Sequence, residues 1–270
     1  MKKLAWSALS DRGKVRANNE DSFIGMCFDA REVHLLGKHG EAPLEQMDMV
    51  FAVSDGIGGA SAGEFASKIT VERITKLLPK AFKQTAAGID VGASDVLSEL
   101  YTQIHKALTF VGASYEECRG MGATLSLCWF TPEWMFFGHI GDSRIYYLPA
   151  AGGMRQMSHD DTYVGWLFRN GKINERESRV HPRRNIIQRA LGAGHQFVEP
   201  QVGAIGLESG DSILICSDGV IDGLFDSQIE DILSTPQCTE KAETSAQRLV
   251  RVAVEESGRD NTTAVVIRVD

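Results

Sequence analysis

The chain has 270 residues, of which 43% are hydrophobic and 24% are charged, and this balance is typical of a globular protein rather than a disordered or fibrous one. Acidic residues outnumber basic ones and give a formal net charge of −8 at pH 7, so the overall field repels phosphate backbones. We therefore expect no nucleic-acid partner.

The cysteines and the N-terminal residues indicate where the protein resides. The five cysteines are odd in number and include no Cys-x-x-Cys pair, so they indicate neither a disulfide framework nor a zinc knuckle. The apolar stretch at the N-terminus ends by Leu9 and is too short for a signal peptide. No run approaches the ~20 apolar residues of a membrane span. We expect a cytoplasmic protein with no membrane association.

Short apolar runs predict the strands. Each run is no longer than eight residues, contains β-branched or aromatic residues, and is bounded by Gly, Asp or Pro. The predicted strands are residues 49–54, 123–130, 134–140, 144–148, 212–217 and 262–269.

Apolar residues at helical spacing predict helices that come in pairs between blocks of strands. The first pair comprises residues 61–78, marked by Phe65, Ile69 and Leu77, and a stretch marked by Val96, Leu100, Ile104 and Leu108; the second pair comprises residues 227–233 and 240–255. Blocks of this kind favour an α+β fold over a parallel doubly wound sheet. No linker-like segment divides the chain, so we expect one domain over residues 1–270.

Carboxylates recur where the predicted strands begin or end. Two strands end in Ser-Asp-Gly, which places Asp55 and Asp218 at strand ends, and the other acidic positions are Glu20-Asp21, Asp142 and Asp260. Each site alone is an ordinary turn sequence. Together, however, such charges would repel one another and resist burial unless a cation joined them. The seven histidines contain no His-Glu-x-x-His, so oxygen ligands and Mg²⁺ or Mn²⁺ are favoured over zinc.

Other phosphate-handling motifs do not fit. The run GIGGAS at 56–61 follows a predicted strand as a dinucleotide fingerprint does, but Ser61 replaces the third glycine and Asp55 would repel a pyrophosphate. The chain contains no Gly-x4-Gly-Lys-Ser/Thr sequence, which excludes a P-loop. No cysteine is followed six residues later by arginine, so the phosphate-binding loop of a cysteine-dependent phosphatase is missing.

Eight motifs in order carry a resemblance to a known family. They are SDRGKVRANNED (10–21), DGIGG (55–59), MGAT (121–124), GDSR (141–144), SHDD (158–161), RALG (189–192), SDG (217–219) and DN (260–261). In this order they resemble the metal-dependent serine/threonine protein phosphatases of the PPM (type 2C) family in its bacterial form. The resemblance covers residues from about 5 to 269, essentially the whole chain.

The resemblance implies a fold and a set of site residues. The fold is a four-layer α-β-β-α sandwich, in which two antiparallel sheets are flanked by pairs of antiparallel helices, with a flap segment at about 160–190. The implied metal ligands are Asp55 bridging two ions, Asp218 and Asp260 on the first ion, the Gly56 carbonyl on the second with Glu20 or Asp21 directly or through water, and Asp142 with Asp218 on a third. Arg16 matches the residue that grips the substrate phosphate.

The implied activity is the hydrolysis of phosphoserine and phosphothreonine in proteins, with two or three Mn²⁺ or Mg²⁺ ions as cofactors. Two ions sharing Asp55 generate a bridging hydroxide that attacks phosphorus in line. Arg16 offers a planar fork to two phosphoryl oxygens, and Asp21 orients the attacking water. The expected partners are phosphorylated targets of a serine/threonine kinase, and the expected state is a monomer.

Three features go beyond the family pattern or depart from it. Ile57 stands where many eukaryotic relatives carry a histidine proposed to protonate the leaving group, so water or an unassigned residue must do so here. Residues 29–48 are longer than the expected hairpin and are interpreted as an extended polar loop. Residues 169–189 carry seven basic residues against two acidic ones. We hypothesise that this segment attracts acidic phosphoprotein surfaces, while the alternative is an ordinary solvated face.

Two alternative functions stay open at the level of sequence. A binding module could keep the fold and recognise phosphoproteins without hydrolysing them, although such a module has no chemical need for all the matched acids and Arg16. A partner-switching phosphatase that acts on one regulatory domain in a sigma-factor pathway would differ only in its substrate, and a phosphopeptide panel would separate it from a broad phosphatase.

Overall fold

Two antiparallel sheets form the centre of the computed structural model, which describes residues 2–29, 31–45, 47–58, 61–86, 92–235 and 243–270. The first sheet contains, in spatial order, β10 (Arg155–Gln156), β9 (Arg144–Leu148), β13 (Ser212–Cys216), β14 (Thr262–Val269), β1 (Lys3–Asp11) and β4 (His39–Pro43). The second contains β11 (Leu191–Gly192), β6 (Gly122–Ala123), β5 (Asp48–Ile57), β7 (Leu125–Phe130), β8 (Trp134–Ile140) and β12 (Gln201–Gly206), with β2 (Asp21–Phe28) on β5 and β3 (Val33–Leu35) on β2.

Helices cover the outer face of each sheet. The second sheet carries α1 (Ala62–Ala86) and α2 (Ala93–Ser114), and the first carries α5 (Asp218–Gly223), α6 (Asp226–Ser234) and α7 (Ser245–Glu256). Between β10 and β11 the chain forms two short helices, α3 (Tyr163–Arg169) and α4 (Glu175–Val180). Within the described ranges, no helix combines the length and the apolarity needed to cross a bilayer.

Strand β5 shows why the strands read as continuous apolar runs. Met49, Phe51 and Val53 face the first sheet and enter the core between the sheets. Val50 and Ala52, which alternate with them, enter the core beneath α1 and α2. Because both faces of the strand are covered, the usual alternation of polar and apolar residues is replaced by an unbroken apolar segment.

Three buried layers hold the four structural layers together. The middle layer lies between the sheets and the outer two lie under the helices; representative members are Trp6, Phe130 and Ile267 in the middle, Leu97 and Leu127 under α1 and α2, and Leu214 and Leu249 under α6 and α7. The predicted α+β sandwich is therefore confirmed. Three predicted strands coincide with β8, β9 and β14, while the predicted strand at 123–130 is divided at Thr124 into β6 and β7.

The expectation that residues 29–48 form an extended polar loop is wrong. Two strands form within it: β3 pairs with β2 at the edge of the second sheet, and β4 pairs with β1 at the edge of the first. Trp6 helps to hold this segment, because its Nε1 donates to the Gly37 carbonyl at 2.9 Å and its ring lies against Gly40. Both edge strands are short and largely exposed, so neither contains the longer apolar run that marked the central strands.

Two helix details also differ from expectation. Helical spacing predicts Phe65 on the core face of α1, but its side chain is 48% exposed, and Ala66 and Ile74 occupy the core instead. The helix predicted at 240–255 is observed as α7 from Ser245 onward, and Glu240 lies outside the described residues. The predicted stripe on α2 is confirmed, because all four of its residues are buried.

Asp48 at the start of β5 gives a test of the core that is independent of the metal site. Burial raises the pKa of Asp48 to about 6, although Trp129 Nε1 donates to its Oδ2 at 2.7 Å. Because this folded-state pKa lies above the unfolded value, the stability that protonated Asp48 contributes is present below pH ~4 and is lost as the pH rises through 6.

We expect Asp48→Asn to be more stable than the wild type by about 1–3 kcal/mol at pH 7.5, with the two proteins converging towards pH 4. The asparagine keeps an oxygen acceptor for Trp129 and removes the buried charge. Denaturant unfolding of both proteins across this pH range measures the difference. A difference independent of pH would contradict the assignment, because other titrating groups are common to both proteins.

Candidate metal centre

Three carboxylates meet at one edge of the first sheet because their strands are antiparallel neighbours. Strand β13 pairs with β9 on one side and with β14 on the other, so the end of β13 lies beside the starts of β9 and β14. Asp218 follows β13, Asp142 precedes β9, and Asp260 precedes β14. The topology therefore gathers residues that are far apart in sequence.

The second sheet contributes Asp21 and Asp55, which are directly opposed on β2 and β5. Asp21 also joins the two sheets. Its Oδ2 accepts hydrogen bonds from Ser217 Oγ at 2.7 Å, directly after β13, and from Thr263 Oγ1 at 2.6 Å, within β14. Because these hydroxyls hold one oxygen of Asp21, only Oδ1 remains for another ligand.

The electrostatics of this group indicate strong mutual repulsion. Burial raises the pKa values of Asp55 and Asp218 well above the ordinary range, and the neighbouring carboxylates raise them further. Burial likewise raises the pKa of Asp21 to about 6 and that of Asp142 to about 7. A divalent cation among these groups would reverse the effect, because it favours the ionised carboxylates.

Unpartnered oxygens show that the group fits a cation. Asp21, Asp142 and Asp218 each have a buried Oδ1 with no hydrogen-bond partner among the described residues. Such atoms are costly to bury without a ligand, and carboxylate oxygens are what hard divalent ions prefer. In the described part of the chain, no three Asp, Glu, His or Cys side chains already converge on one point as a preformed metal cluster. The fit therefore rests on the unpartnered oxygens and the shared negative field.

Glu20 and Gly56 meet beside the start of α1. The Gly56 N–H donates to the Glu20 carbonyl at 3.1 Å. A Cβ placed on Gly63 would lie 2.9 Å from the Glu20 carboxylate carbon and 2.9 Å from the Gly56 carbonyl oxygen. Two of the predicted ligands of the second ion, Glu20 and the Gly56 carbonyl, therefore lie against the same residue, Gly63. Burial raises the pKa of Glu20, and the positive charge of Arg16 partly offsets this increase.

The two Asp-Gly pairs contain glycine for a steric reason. Neither Gly56 nor Gly219 has a positive φ, so neither position requires a left-handed turn. A Cβ on Gly56 would overlap the Gly63 carbonyl, and a Cβ on Gly219 would overlap the Asn261 carbonyl. Each aspartate is thus followed by a residue that lets another backbone segment approach closely.

Arg16 lies on the loop after β1 and reaches the same edge. Its Nη2 donates to Asp260 Oδ2 at 2.6 Å, while its side chain is 48% exposed. Asp55, Asp218 and Asp260 are partly exposed, whereas Asp21 is 8% exposed. The site therefore opens to solvent on the side where Arg16 lies.

The structure brings together every predicted site residue, and it adds several that the sequence analysis missed. Ser217, Thr263 and Asn261 lie inside or beside the quoted motifs, but their bonds join positions 196 to 249 residues apart. No local pattern reveals such partners.

Asp160 is also near the site. Burial raises the pKa of Asp160, but the charge and the hydrogen bonds of Arg144 together outweigh this effect and hold this pKa below the ordinary value.

Asn261 fastens the loop that carries Arg16. Its amide nitrogen donates to the carbonyls of Arg12 and Asn18, both at 2.9 Å, and its Oδ1 accepts from the Glu20 N–H at 2.7 Å. The residue is 3% exposed. Each side-chain hydrogen bond described for Asn261 therefore joins it to the backbone of residues 12–20.

We expect Asn261→Ala to lower the free energy of unfolding by about 1–2 kcal/mol and to speed amide exchange in residues 12–20, because it removes three hydrogen bonds that hold the backbone of this loop. Asn170→Ala is a matched control, since Asn170 also donates its side-chain amide to a carbonyl, that of Trp166, but on an exposed turn. Denaturant unfolding and hydrogen-exchange mass spectrometry measure the two effects. Equal exchange rates in both variants would contradict the role of Asn261.

A family model described as protein phosphatase 2C matches residues 39–255. The chain belongs to the protein phosphatase 2C family. This finding confirms the resemblance carried by the motifs, and the match spans the region from β4 to α7.

Individual relatives of this phosphatase 2C chain are bacterial. The serine/threonine protein phosphatase PstP of Mycobacterium tuberculosis is 35% identical over 97% of this chain, which spans only 44% of that protein's length. The serine/threonine phosphatase stp of Listeria monocytogenes is 29% identical over 97% of this chain and 94% of its own length.

Solved structures share the fold. The S. agalactiae serine/threonine phosphatase superposes with a TM-score of 0.80 at 26% identity, covering 99% of this chain and 100% of that one. The catalytic domain of PstP in complex with two manganese ions gives a TM-score of 0.73 at 32% identity, covering 100% of this chain and 99% of that one.

Proposed function

We propose that this chain is a metal-dependent protein phosphatase that hydrolyses phosphoserine and phosphothreonine in proteins, with Mn²⁺ or Mg²⁺ as its cofactor. The observation that carries the proposal is the group of mutually repelling aspartates with unpartnered oxygens beside a half-exposed arginine. The names of the bacterial relatives support it, as do the two manganese ions in the PstP structure.

The proposed ligand sets are those that the family resemblance implies. Asp55, Asp218 and Asp260 would hold a first ion, and Asp55 with the Gly56 carbonyl and Glu20 or Asp21 would hold a second. A third would lie between Asp142 and Asp218, whose unpartnered oxygens are both buried. Bound divalent ions supply Lewis acidity and activate a water molecule as the nucleophile.

Arg16 would position the phosphate ester. One nitrogen of its guanidinium is held by Asp260, which orients the side chain and leaves its remaining N–H groups for phosphoryl oxygens. A planar guanidinium can bind two such oxygens at once and offset the charge that spreads onto them during transfer. Asp21 would use only its Oδ1, towards an ion or towards the attacking water, since its Oδ2 is already occupied.

Initial rates on a phosphothreonine peptide test the proposal, with manganese, magnesium or EDTA, for the wild type and for Asp218→Ala. We expect turnover that depends on metal and is lost in the variant. No turnover from folded wild-type protein that binds metal would overturn the proposal and favour a phosphoprotein-binding module.

Further proposals concern the organisation and setting of the protein. We propose that residues 1–270 act as one catalytic domain with a flap at about 160–190. We propose that this domain is monomeric, that it acts in the cytoplasm, and that its substrates are the phosphorylated targets of a serine/threonine kinase. Light scattering coupled to gel filtration tests the monomer, and a dimeric mass would contradict it.

The basic residues of segment 169–189 divide into two sets. Four make contacts inside the protein: Arg169 with the Asp160 carbonyl, Arg179 with the Leu224 carbonyl, Arg184 with Asp222 and Arg189 with Asp161. The remaining three, Lys172, Arg176 and Arg183, are exposed and make no ion pair in the described structure, although the Arg183 guanidinium lies over the Tyr163 ring, 5.8 Å from its centre. These three residues are the outward cations.

Both acids of the segment are also occupied. Glu175 accepts from the Asp226 N–H at 3.1 Å, and Glu177 accepts from the Asn174 N–H at 2.8 Å at the start of α4. Among the described contacts, neither acid forms an ion pair with an outward cation, and Glu175 pairs instead with Arg179. The chain as a whole is acidic, so the outward cations form a local positive patch. We propose that this patch attracts acidic residues flanking a substrate phosphate.

We expect Lys172→Glu, Arg176→Glu and Arg183→Glu combined to lower kcat/KM about tenfold for an acid-flanked phosphopeptide at low salt, and less at high salt. Turnover of p-nitrophenyl phosphate should not change. A matched control reverses three exposed cations outside this segment, Arg73, Lys106 and Arg155, and alters net charge equally. An equal loss of kcat/KM in both triple variants would contradict the docking proposal.

A further inference from the structure

A chain of buried polar side chains lies beneath the carboxylates and takes no part in the chemistry above. Ser126 Oγ lies 2.8 Å from His139 Nδ1 and 2.9 Å from Ser143 Oγ. Ser143 Oγ lies 3.2 Å from Thr124 Oγ1. All four side chains are fully buried. These four residues are called the polar chain.

One end of the polar chain grips the backbone of Asp55. Thr124 Oγ1 accepts from the Asp55 N–H at 3.0 Å, and the Thr124 N–H donates to the Asp55 carbonyl at 2.8 Å. In addition, Ser54 Oγ donates to the Thr124 carbonyl at 2.7 Å. Thr124 interrupts the strand between β6 and β7, and in this position it fixes both polar backbone groups of Asp55.

The other end grips the turn that carries Asp142. His139 Nε2 lies 3.1 Å from the Gly141 carbonyl oxygen. Gly141 has a φ of +108°, and a Cβ at this position would lie 2.6 Å from the Thr124 side chain. Ser143, a member of the polar chain, is the residue directly after Asp142. The turn at 141–143 is thus held from both sides.

The protonation of His139 follows from its partners. A carbonyl cannot donate, so Nε2 must carry the proton. Burial lowers the pKa of His139 to about 4, which keeps the ring neutral and leaves Nδ1 as an acceptor for the Ser126 hydroxyl. A neutral histidine with one fixed tautomer therefore links the Gly141 carbonyl to the serines.

We propose that His139 and Ser126 are positioning residues, which through the polar chain fix the separation between Asp55 and Asp142 and so set the affinity of the site for divalent ions. Asp55 lies at one end of the polar chain and the turn of Asp142 lies at the other, and the two carboxylates repel each other. Without a rigid link, that repulsion would spread them apart. The inference rests on the proposed function for its effect on turnover, but not for its effect on metal binding.

The test compares Ser126→Ala with Thr70→Val. Each variant removes one fully buried hydroxyl, but Thr70 donates only to the Ala66 carbonyl within α1 and is not part of the polar chain. Calorimetric titration with Mn²⁺ measures metal affinity, and thermal unfolding in EDTA measures stability. We expect Ser126→Ala to weaken Mn²⁺ binding about tenfold, the usual effect of removing a group that orients metal ligands, and Thr70→Val to leave it unchanged.

A double variant sharpens the result. If Ser126 and Ser143 act through one chain, Ser126→Ala combined with Ser143→Ala should weaken Mn²⁺ binding no more than Ser143→Ala alone. Unchanged Mn²⁺ affinity in Ser126→Ala, an equal loss in Thr70→Val, or additive losses in the double variant would each overturn the proposal. Because Mn²⁺ binding is measured without substrate, a wild type that binds metal but hydrolyses nothing would refute the proposed function and leave this test intact.

Discussion

Asp55→Asn is expected to abolish phosphatase turnover, by about 10³-fold or more, and at the same time to raise the thermal midpoint of the protein in EDTA. Asp55 would be a ligand of both ions in the proposed centre, so losing it would remove several kcal/mol of transition-state stabilisation. Burial and the adjacent aspartates raise the pKa of Asp55 well above the ordinary range, so the ionised form of Asp55 destabilises the folded protein.

The stability gain has a definite sign. A group whose folded-state pKa is raised stabilises the protein when protonated, and that contribution is lost as the pH rises through the folded-state pKa. Asparagine avoids the loss, so we expect a rise of roughly 2–4 °C at pH 7.5, the shift that about 1 kcal/mol produces in a protein of this size. With manganese present, the wild type should have the higher thermal midpoint of the two, because manganese stabilises it by binding its folded state.

Scanning calorimetry with EDTA and with manganese measures both effects. Asp95→Asn is the control, since Asp95 lies in the first turn of α2, away from the carboxylate group. A lower midpoint for Asp55→Asn in EDTA would show that the carboxylate stabilises the fold, which is the opposite of the electrostatic assignment. Retained turnover would remove Asp55 from the centre.

Arg16→Ala is expected to lower kcat/KM by about 10²–10³-fold, the usual cost of removing a donor that stabilises developing negative charge. Arg16→Lys should recover only a small part, because a lysine ammonium cannot bind two phosphoryl oxygens with a planar fork. The loss should appear in KM and in kcat, since Arg16 would contact the phosphate before and during transfer. Steady-state kinetics on a phosphothreonine peptide separate the two parameters.

Lys14→Ala is the control for Arg16. Lys14 is a cation of the same loop, but its Nζ donates to the Glu255 carbonyl at 2.8 Å, away from the carboxylates. We expect its kinetics to match the wild type. A Lys14 variant as impaired as Arg16→Ala would indicate that loop order, and not the guanidinium, is responsible.

The central strands and the helices that cover them could be predicted from sequence because their residues repeat a physical pattern. Strands β8, β9 and β14 are short apolar runs bounded by turn residues, and the stripe on α2 has helical spacing. The edge strands β3 and β4 have no such pattern, because they are short and most of their residues are exposed. Phe65 shows a further limit, since spacing fixes a helical stripe but not which neighbouring stripe meets the sheet.

The candidate site was predicted unevenly for the same reason. Aspartates at strand ends stand out locally, and the motifs that contain them are specific. Ser217 and Asn261 do not stand out, because what they do depends on partners that only the fold brings near. Thr124 and Ser143 of the polar chain lie within the MGAT and GDSR motifs, but their connection through Ser126 to His139 could not be predicted, since a buried serine or histidine resembles any other until its neighbours are known.

The glycines after Asp55 and Asp218 have a consequence for recognising distant relatives. At both positions the adjacent backbone leaves room for a hydrogen atom and not for a methyl group. A library randomised at positions 56 and 219 should therefore return glycine almost alone, even under selection for folding without activity. In a divergent sequence that has exchanged some of its acids, these two glycines would identify the edge of the sandwich where the carboxylates gather more reliably than the carboxylates themselves.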